Sequence, residues 1–447
     1  MVNILIVGAG KSSTYLIDYL LRASYKKQNK WNIVIADSDE HALTLRVQDF
    51  AQTETVVLDI MQERQRQALV RKADIVVSLM PPHLHILLAQ DCLYFGKHLI
   101  TSSYVSPEMK ELDRYAREAG LMFMCEMGLD PGIDHMTASR IFDSIHKVSS
   151  RVISFESYCG GLVAPESDNN PWHYKFSWNP RNIINAGKDG AHYLHGRKEI
   201  NVAYEQMFRN NKKVYCPGAG NLAYYPNRDS LSYIDLYDLE DARTFMRATL
   251  RHPDFCKGWD ALISMGLTNM NDTYDTEQLS YAGWMKALSG YTDTNQSLEA
   301  HLWQRFGIED KKVRDMIIWL GITEEAAIKP GVRSSGEILL DLLLRKWALH
   351  PDDKDMVVMQ HHVKYEFRDE LTSLTSTMVV KGENSNFSAM AKTVGLPMAI
   401  LTEMLASKKL IPPTGVLIPT MSDIYRPVLN KLSKMGIDFT ETVATTV

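Results

Sequence analysis

The sequence lacks the features that mark several whole classes of protein. It has no C-x-x-C pair: Cys92, Cys125, Cys159, Cys216 and Cys256 are scattered and odd in number. That argues against a disulfide framework or a structural zinc site and fits a reducing compartment. No run approaches the roughly 20 apolar residues needed to cross a bilayer. The residues after Met1 already read as a strand, so no signal peptide is expected and a cytoplasmic location is. A basic excess is missing too: 49 Lys and Arg stand against 54 Asp and Glu, a net charge of -5. Neither nucleic acid nor an anionic membrane is therefore an expected partner. No internal repeat or low-complexity segment occurs. What remains is 447 residues, 45% of them hydrophobic, with length for about three ordinary domains.

The first 130 residues alternate in period. Asn3 to Val7, Trp31 to Ala36, Thr55 to Leu58, Ile75 to Leu79, His98 to Thr101 and Leu121 to Cys125 are short apolar runs. Helical patterns lie between them, one at Ser13 to Ala23 and another opening at Ser106-Pro107. Nearly continuous apolar strands alternating with helices predict a parallel sheet covered on both faces. After a further strand at Ser149 to Ser157, the stretch Gly160 to Trp172 reads as an irregular functional loop. From about Leu239 to His350 the pattern is helical. Strand character returns at Asp355 to His361 and at Val363 to Phe367, and helices are expected at Ser388 to Leu405 and Asp423 to Met435. The fold class is α/β: a Rossmann doubly wound parallel sheet plus a second α/β substrate and dimerisation domain carrying an all-α insertion. The expected division is 1–130 with 386–447, 131–236 with 351–385, and a helical insert at 237–350.

Gly8-Ala9-Gly10-Lys11-Ser12-Ser13 fills the first strand-to-helix turn, where glycine lets the backbone approach a pyrophosphate at a helix N-terminus. The third glycine of the usual fingerprint is absent; Ser13 stands there. Asp37 ends the next strand, placed to accept from the ribose 2′-hydroxyl of NAD and to repel the 2′-phosphate of NADP. Ser78-Leu79 follows the fourth strand at the edge where such sheets bind ligands. His83 and His85 lack a carboxylate at ligand spacing, so no metal is expected. Thr101-Ser102-Ser103-Tyr104 and Gly128-Leu129-Asp130-Pro131-Gly132-Ile133-Asp134-His135 close the fifth and sixth strands, and a Tyr hydroxyl and an Asp carboxylate there can orient a substrate or relay a proton.

With these strings, and with Ser157 to Leu162, Tyr174 to Trp178, Tyr225 to Ser230, Thr249-Leu250-Arg251, Lys354 to Val358 and Ser388 to Gly395, the chain resembles the glutamate-forming saccharopine dehydrogenase (saccharopine reductase) family along nearly its whole length. The resemblance implies oxidation of saccharopine by NAD, with NADP possible, to L-glutamate and L-2-aminoadipate 6-semialdehyde, in a homodimer. It implies Tyr104, Asp130 and Cys159 at the reacting centre, and Tyr104, Val105, Asp130, Arg228 and Arg251 on the substrate. The arginines suit its carboxylates as bidentate donors. It implies a cofactor cradle of Gly8, Gly10, Lys11, Ser12, Ser13, Asp37, Ser38, Asp59, Ile60, Ser78, Leu79, Ser103, Leu129 and Ser177. Three positions depart from the family pattern: Val163 replaces proline, Ala248 glycine and His252 tyrosine. Asp37-Ser38 also replaces a fungal pattern whose arginine suits a 2′-phosphate. The alternatives are a related reductive-amination enzyme of the carboxynorspermidine synthase kind and a non-catalytic dinucleotide sensor.

Overall fold

The computed structural model describes residues 1–26, 30–50, 53–292, 295–368 and 370–446. The expected apolar runs form six strands: β1 (Val2–Val7), β2 (Trp31–Asp37), β3 (Glu54–Val57), β4 (Ile75–Ser78), β5 (His98–Thr101) and β6 (Met122–Met124). They make one parallel sheet with Gly415–Leu417 added beside β6, in the order Gly415–Leu417, β6, β5, β4, β1, β2, β3. The order reverses between β1 and β4, which opens a ligand crevice at their carboxyl ends. β4 is buried along its whole length, as a strand covered on both faces must be. This is the Rossmann arrangement expected.

Helix Ala389–Ala406 begins at Ser388, whose hydroxyl accepts from the Ala391 N–H at 3.0 Å, an N-cap that ends the preceding loop. It packs against helix Thr14–Lys26 below the glycine loop. By length and apolarity this one helix could cross a membrane, but 89% of it is buried inside the protein. It is the core helix of the first domain.

A second sheet runs Lys212–Cys216, Gly220–Pro226, Thr244–Arg251, Arg151–Val163, Asp355–Phe367, Glu370–Lys381, Thr440–Thr446. Three expectations change here. Gly160 to Val163 is not loop but the end of strand Arg151–Val163, paired with Asp355–Val358. Glycine fits there because a Cβ on Gly160 would fall 2.4 Å from the Leu250 carbonyl oxygen, so the adjacent strand requires its absence. Thr244–Arg251, inside the stretch expected to be helical, is a central strand parallel to Arg151–Val163 and antiparallel to Gly220–Pro226. Ladder bonds on both sides and burial on both faces override its weak local pattern. Thr440–Thr446, expected in the first domain, pairs with Glu370–Lys381 in the second sheet. The helical block proper begins at Pro253–Ser264 and includes Leu298–Phe306, Lys311–Leu320 and Ser335–Lys346. It closes around Trp172, Trp259, Trp284 and Trp347, all fully buried.

Candidate active site

The glycine loop is shaped by its neighbours at one position and left open at another. Gly8 has φ +113°, and a Cβ there would lie 3.1 Å from Leu79, so the chain itself demands glycine. Gly10 has an ordinary φ of -68° and nothing within 4 Å of where a Cβ would sit. The fold does not require glycine at 10, and the space left open there, at the N-terminal end of helix Thr14–Lys26, is of the kind a diphosphate would fit. Asp37 is fixed beside it. One carboxylate oxygen accepts from the Ala9 N–H at 2.5 Å, the other from the Asp39 N–H at 2.9 Å. The Leu58 N–H bonds the Asp37 carbonyl at 2.9 Å, which brings Asp59 and Ile60 to the same edge.

Arg46 was not foreseen. Its Nε donates to the Ala9 carbonyl and to Ser13 Oγ, both at 3.2 Å, and Nη2 to the Gly10 carbonyl at 3.1 Å. Its Nη1 reaches Asn386 Oδ1 at 2.5 Å. It ties the loop to the segment that leads into the core helix. A basic residue nine positions after the end of β2 carries no local signal of such a role. His85, set aside as a metal ligand, is buried and bridges Ser78 Oγ and Ser103 Oγ, each at 2.8 Å. Burial pushes its pKa down to about 4, so a neutral ring links the ends of β4 and β5.

At the ends of β5 and β6 the two domains meet. Tyr104 donates to Asp130 Oδ1 at 3.2 Å. Arg247, on the unforeseen strand, donates through Nη2 to Asp130 Oδ1 and to Asp134 Oδ2, both at 2.6 Å. Its guanidinium also lies over the rings of Tyr104 and Tyr233. Glu126 accepts from the Val105 N–H at 3.0 Å and from Tyr233 at 3.0 Å, and lies 2.7 Å from His135 Nε2. Burial raises the Asp130 carboxyl above its ordinary value, with Arg247 opposing. Burial also acts on Asp134, but His135, Arg247 and the Gly132 N–H outweigh it and hold that carboxyl low. The two acids of one cluster are thus driven apart, one toward carrying a proton and one toward staying ionised.

Arg228 and Arg251 differ. Arg228 has a 57% exposed side chain, 3.8 Å from Asp189, with its guanidinium over the Tyr104 ring at 5.2 Å. It belongs to the rim of the cluster. Arg251 is 5% exposed and packs over Tyr174 and Phe255. It donates to the Leu250 carbonyl at 2.8 Å, while its Nε is buried without a partner. Among the described residues no carboxylate pairs with it. Arg247 and Arg251, four residues apart on one strand, share a face. Cys159 pairs with Thr249 between them. Burial holds its thiol well above the ordinary range, so it is a protonated, mostly apolar filler at neutral pH. Ser177 supports the Asp355 carboxylate, which in turn accepts from the Ala389 and Met390 N–H groups at 2.6 and 2.9 Å. Leu129 is buried in the core beside this junction.

A Rossmann crevice, an open diphosphate space and an acid–arginine cluster at the domain junction define a two-domain dinucleotide-binding protein of the oxidoreductase class. Residues 4–124 match a family model described as the saccharopine dehydrogenase NADP binding domain, and residues 128–437 one described as the saccharopine dehydrogenase C-terminal domain. The chain belongs to the saccharopine dehydrogenase family. It is 32% identical to the mouse mitochondrial alpha-aminoadipic semialdehyde synthase over 98% of this chain and 47% of that protein. It thus spans about half the length of that relative. It is 30% identical to the Schizosaccharomyces pombe saccharopine dehydrogenase [NADP(+), L-glutamate-forming] over 99% of both chains. The solved apo saccharopine dehydrogenase (L-Glu forming) from Saccharomyces cerevisiae superposes with a TM-score of 0.89 at 30% identity, over 99% of this chain and 100% of that one.

Proposed function

We propose that the chain oxidises saccharopine to L-glutamate and L-2-aminoadipate 6-semialdehyde. The observation that carries this reading is Arg251, a buried guanidinium with an orphaned Nε and no carboxylate partner among the described residues. A buried cation persists where something pairs with it, and a substrate bearing three carboxylates supplies that partner. Arg228 at the rim suits a second carboxylate. The secondary ammonium must lose its proton before the C–H bond can donate hydride. Asp130, with its carboxyl raised by burial and its oxygen shared between Tyr104 and Arg247, fits that proton's acceptor. Bound in the crevice, the nicotinamide supplies the hydride acceptor. Water then hydrolyses the substrate imine, with Tyr104 in reach as hydrogen-bond donor.

NAD is the proposed acceptor, because the Asp37 carboxylate sits at the end of β2 where a 2′-phosphate would be repelled. NADP is the second reading. The first domain matches a model described for NADP, and Lys11, exposed in the glycine loop, has no carboxylate partner among the described residues. The test is incubation with saccharopine and either cofactor, following reduced nicotinamide and released glutamate together. Turnover with NAD well above NADP is expected. No turnover with either would refute the activity, and faster turnover with NADP would refute the role given to Asp37. A homodimer is proposed with it, to be read by sedimentation.

A further inference from the structure

Glu126 is buried, stands two residues after β6, and has no direct part in the proposed reaction. Its backbone has φ +55°, a left-handed conformation that a residue other than glycine keeps only where its surroundings hold it. Two bonds pin it to the end of β5. Its own N–H donates to the Ser103 carbonyl at 3.0 Å, and the Met127 N–H donates to the Thr101 carbonyl at 3.0 Å. Burial alone would push its carboxyl up, but His135, the Val105 N–H and Arg247 outweigh burial and hold it below the ordinary value. The group is therefore an anion, able to accept several bonds at once.

Its two oxygens serve different elements. Oε1 accepts from the Val105 N–H at 3.0 Å, one residue beyond Tyr104. Oε2 accepts from the Tyr233 hydroxyl at 3.0 Å and lies 2.7 Å from His135 Nε2. The Tyr233 ring in turn packs on two groups. The Arg247 guanidinium lies 4.6 Å from its centroid, and the His135 ring stacks at 5.2 Å, 24° from parallel. Both arms of this carboxylate thus lead to one acid. Asp130 Oδ1 accepts from Tyr104 at 3.2 Å and from Arg247 at 2.6 Å. One arm fixes the turn that presents Tyr104, and the other fixes the ring on which Arg247 lies.

We infer that Glu126 is a positioning residue that holds the Tyr104 hydroxyl and the Arg247 guanidinium on Asp130, a role that rests on Asp130 accepting the substrate's ammonium proton as proposed above. The test is a double-mutant cycle on saccharopine turnover by the full chain. Tyr233→Phe keeps the ring and removes one bond to Glu126; Glu126→Gln keeps the reach to Val105 and removes the charge. Each should lower kcat about 10- to 100-fold, the cost of a misplacement of about 1 Å made away from the chemistry. The saccharopine KM should change less than about threefold, because Arg228 and Arg251 are untouched. The double variant should lose little more than Glu126→Gln alone, since both changes break one chain of contacts. Dinucleotide affinity and a thermal melt report that each variant is folded, and if Glu126→Gln does not fold, the kcat and KM of Tyr233→Phe decide alone. An unchanged kcat in the folded variants, a loss confined to KM, or losses that multiply in the double variant overturns the role. If the unaltered chain does not turn saccharopine over, the proposed function falls by itself. Crystal structures of the two variants then decide the positioning: Tyr104 or Arg247 leaving hydrogen-bond distance of Asp130 supports it, and both bonds kept overturns it.

Discussion

Replacing Arg251 with methionine should move activity and stability in opposite directions. The side chain is 5% exposed, spends one donor on the Leu250 carbonyl, and has no acidic partner among the described residues. If a substrate carboxylate takes two of its remaining N–H groups, the variant loses two charge-assisted hydrogen bonds. At about 1.5–3 kcal/mol each, that is about 3–6 kcal/mol of transition-state binding. At about 1.4 kcal/mol per factor of ten, kcat/KM for saccharopine should fall about 100- to 10,000-fold. Dinucleotide affinity should not change, since the glycine loop is untouched. Methionine fills similar volume and carries no charge, so an uncompensated buried cation is removed from the apoprotein. Lost stacking on Tyr174 and Phe255, about 0.5–2 kcal/mol, partly offsets this. The melting temperature should hold or rise. Steady-state kinetics, dinucleotide titration and a thermal melt decide it. An unchanged KM with a lowered melting temperature would mean the arginine is structural, and the substrate reading would lose its main support.

Gly10→Ala should leave the melting temperature within a degree or two, because the backbone is ordinary there and no atom opposes a methyl group. Its dinucleotide affinity should fall at least about tenfold as the Cβ enters the diphosphate space; equal affinity would sink that placement. Arg247→Met strands Asp130 and Asp134 without their shared cation and should cost about 3–5 kcal/mol. Adding Asp130→Asn should recover part of that loss in denaturant melts, and no recovery would uncouple the three. His85 has a folded pKa of about 4, below its unfolded value, so the unfolded chain binds the extra proton between those limits. Its contribution is present above about pH 6.5 and is lost as pH falls toward about 4, at most about 3 kcal/mol. His85→Asn should therefore show a shallower acid loss of urea resistance than the unaltered chain; parallel curves would refute the neutral bridge.

The first sheet was legible because most of its strands are nearly unbroken apolar runs, as in β1 and in β4, which is buried along its whole length; β3, at the sheet edge, is largely exposed. Strand Thr244–Arg251 was not. Arginines at 247 and 251 and threonine at 249 make it read as amphipathic, when the charged positions in fact face a buried site. Arg247 was missed for a related reason: its partners lie 117 and 113 residues away, and no local motif announces such a contact. Asp130 and Tyr104 could be found because they sit at strand ends, where a parallel sheet places chemistry whatever the rest of the chain does. Arg228 and Arg251 came from the resemblance; the structure separates a rim cation from a buried one, a distinction invisible in sequence.

Asp355 begins a long strand of the second sheet, and its carboxylate holds the first N–H groups of the core helix of the first domain. The chain then runs through that helix and returns to the second sheet at Thr440–Thr446. Neither domain is a continuous piece that could be cut free with its core intact. Loss of the first domain's packing releases the helix that Asp355 anchors, and loss of the second sheet removes the anchor. Unfolding should therefore be a shared event, and hydrogen exchange in β1 and in Asp355–Phe367 should report a common opening free energy.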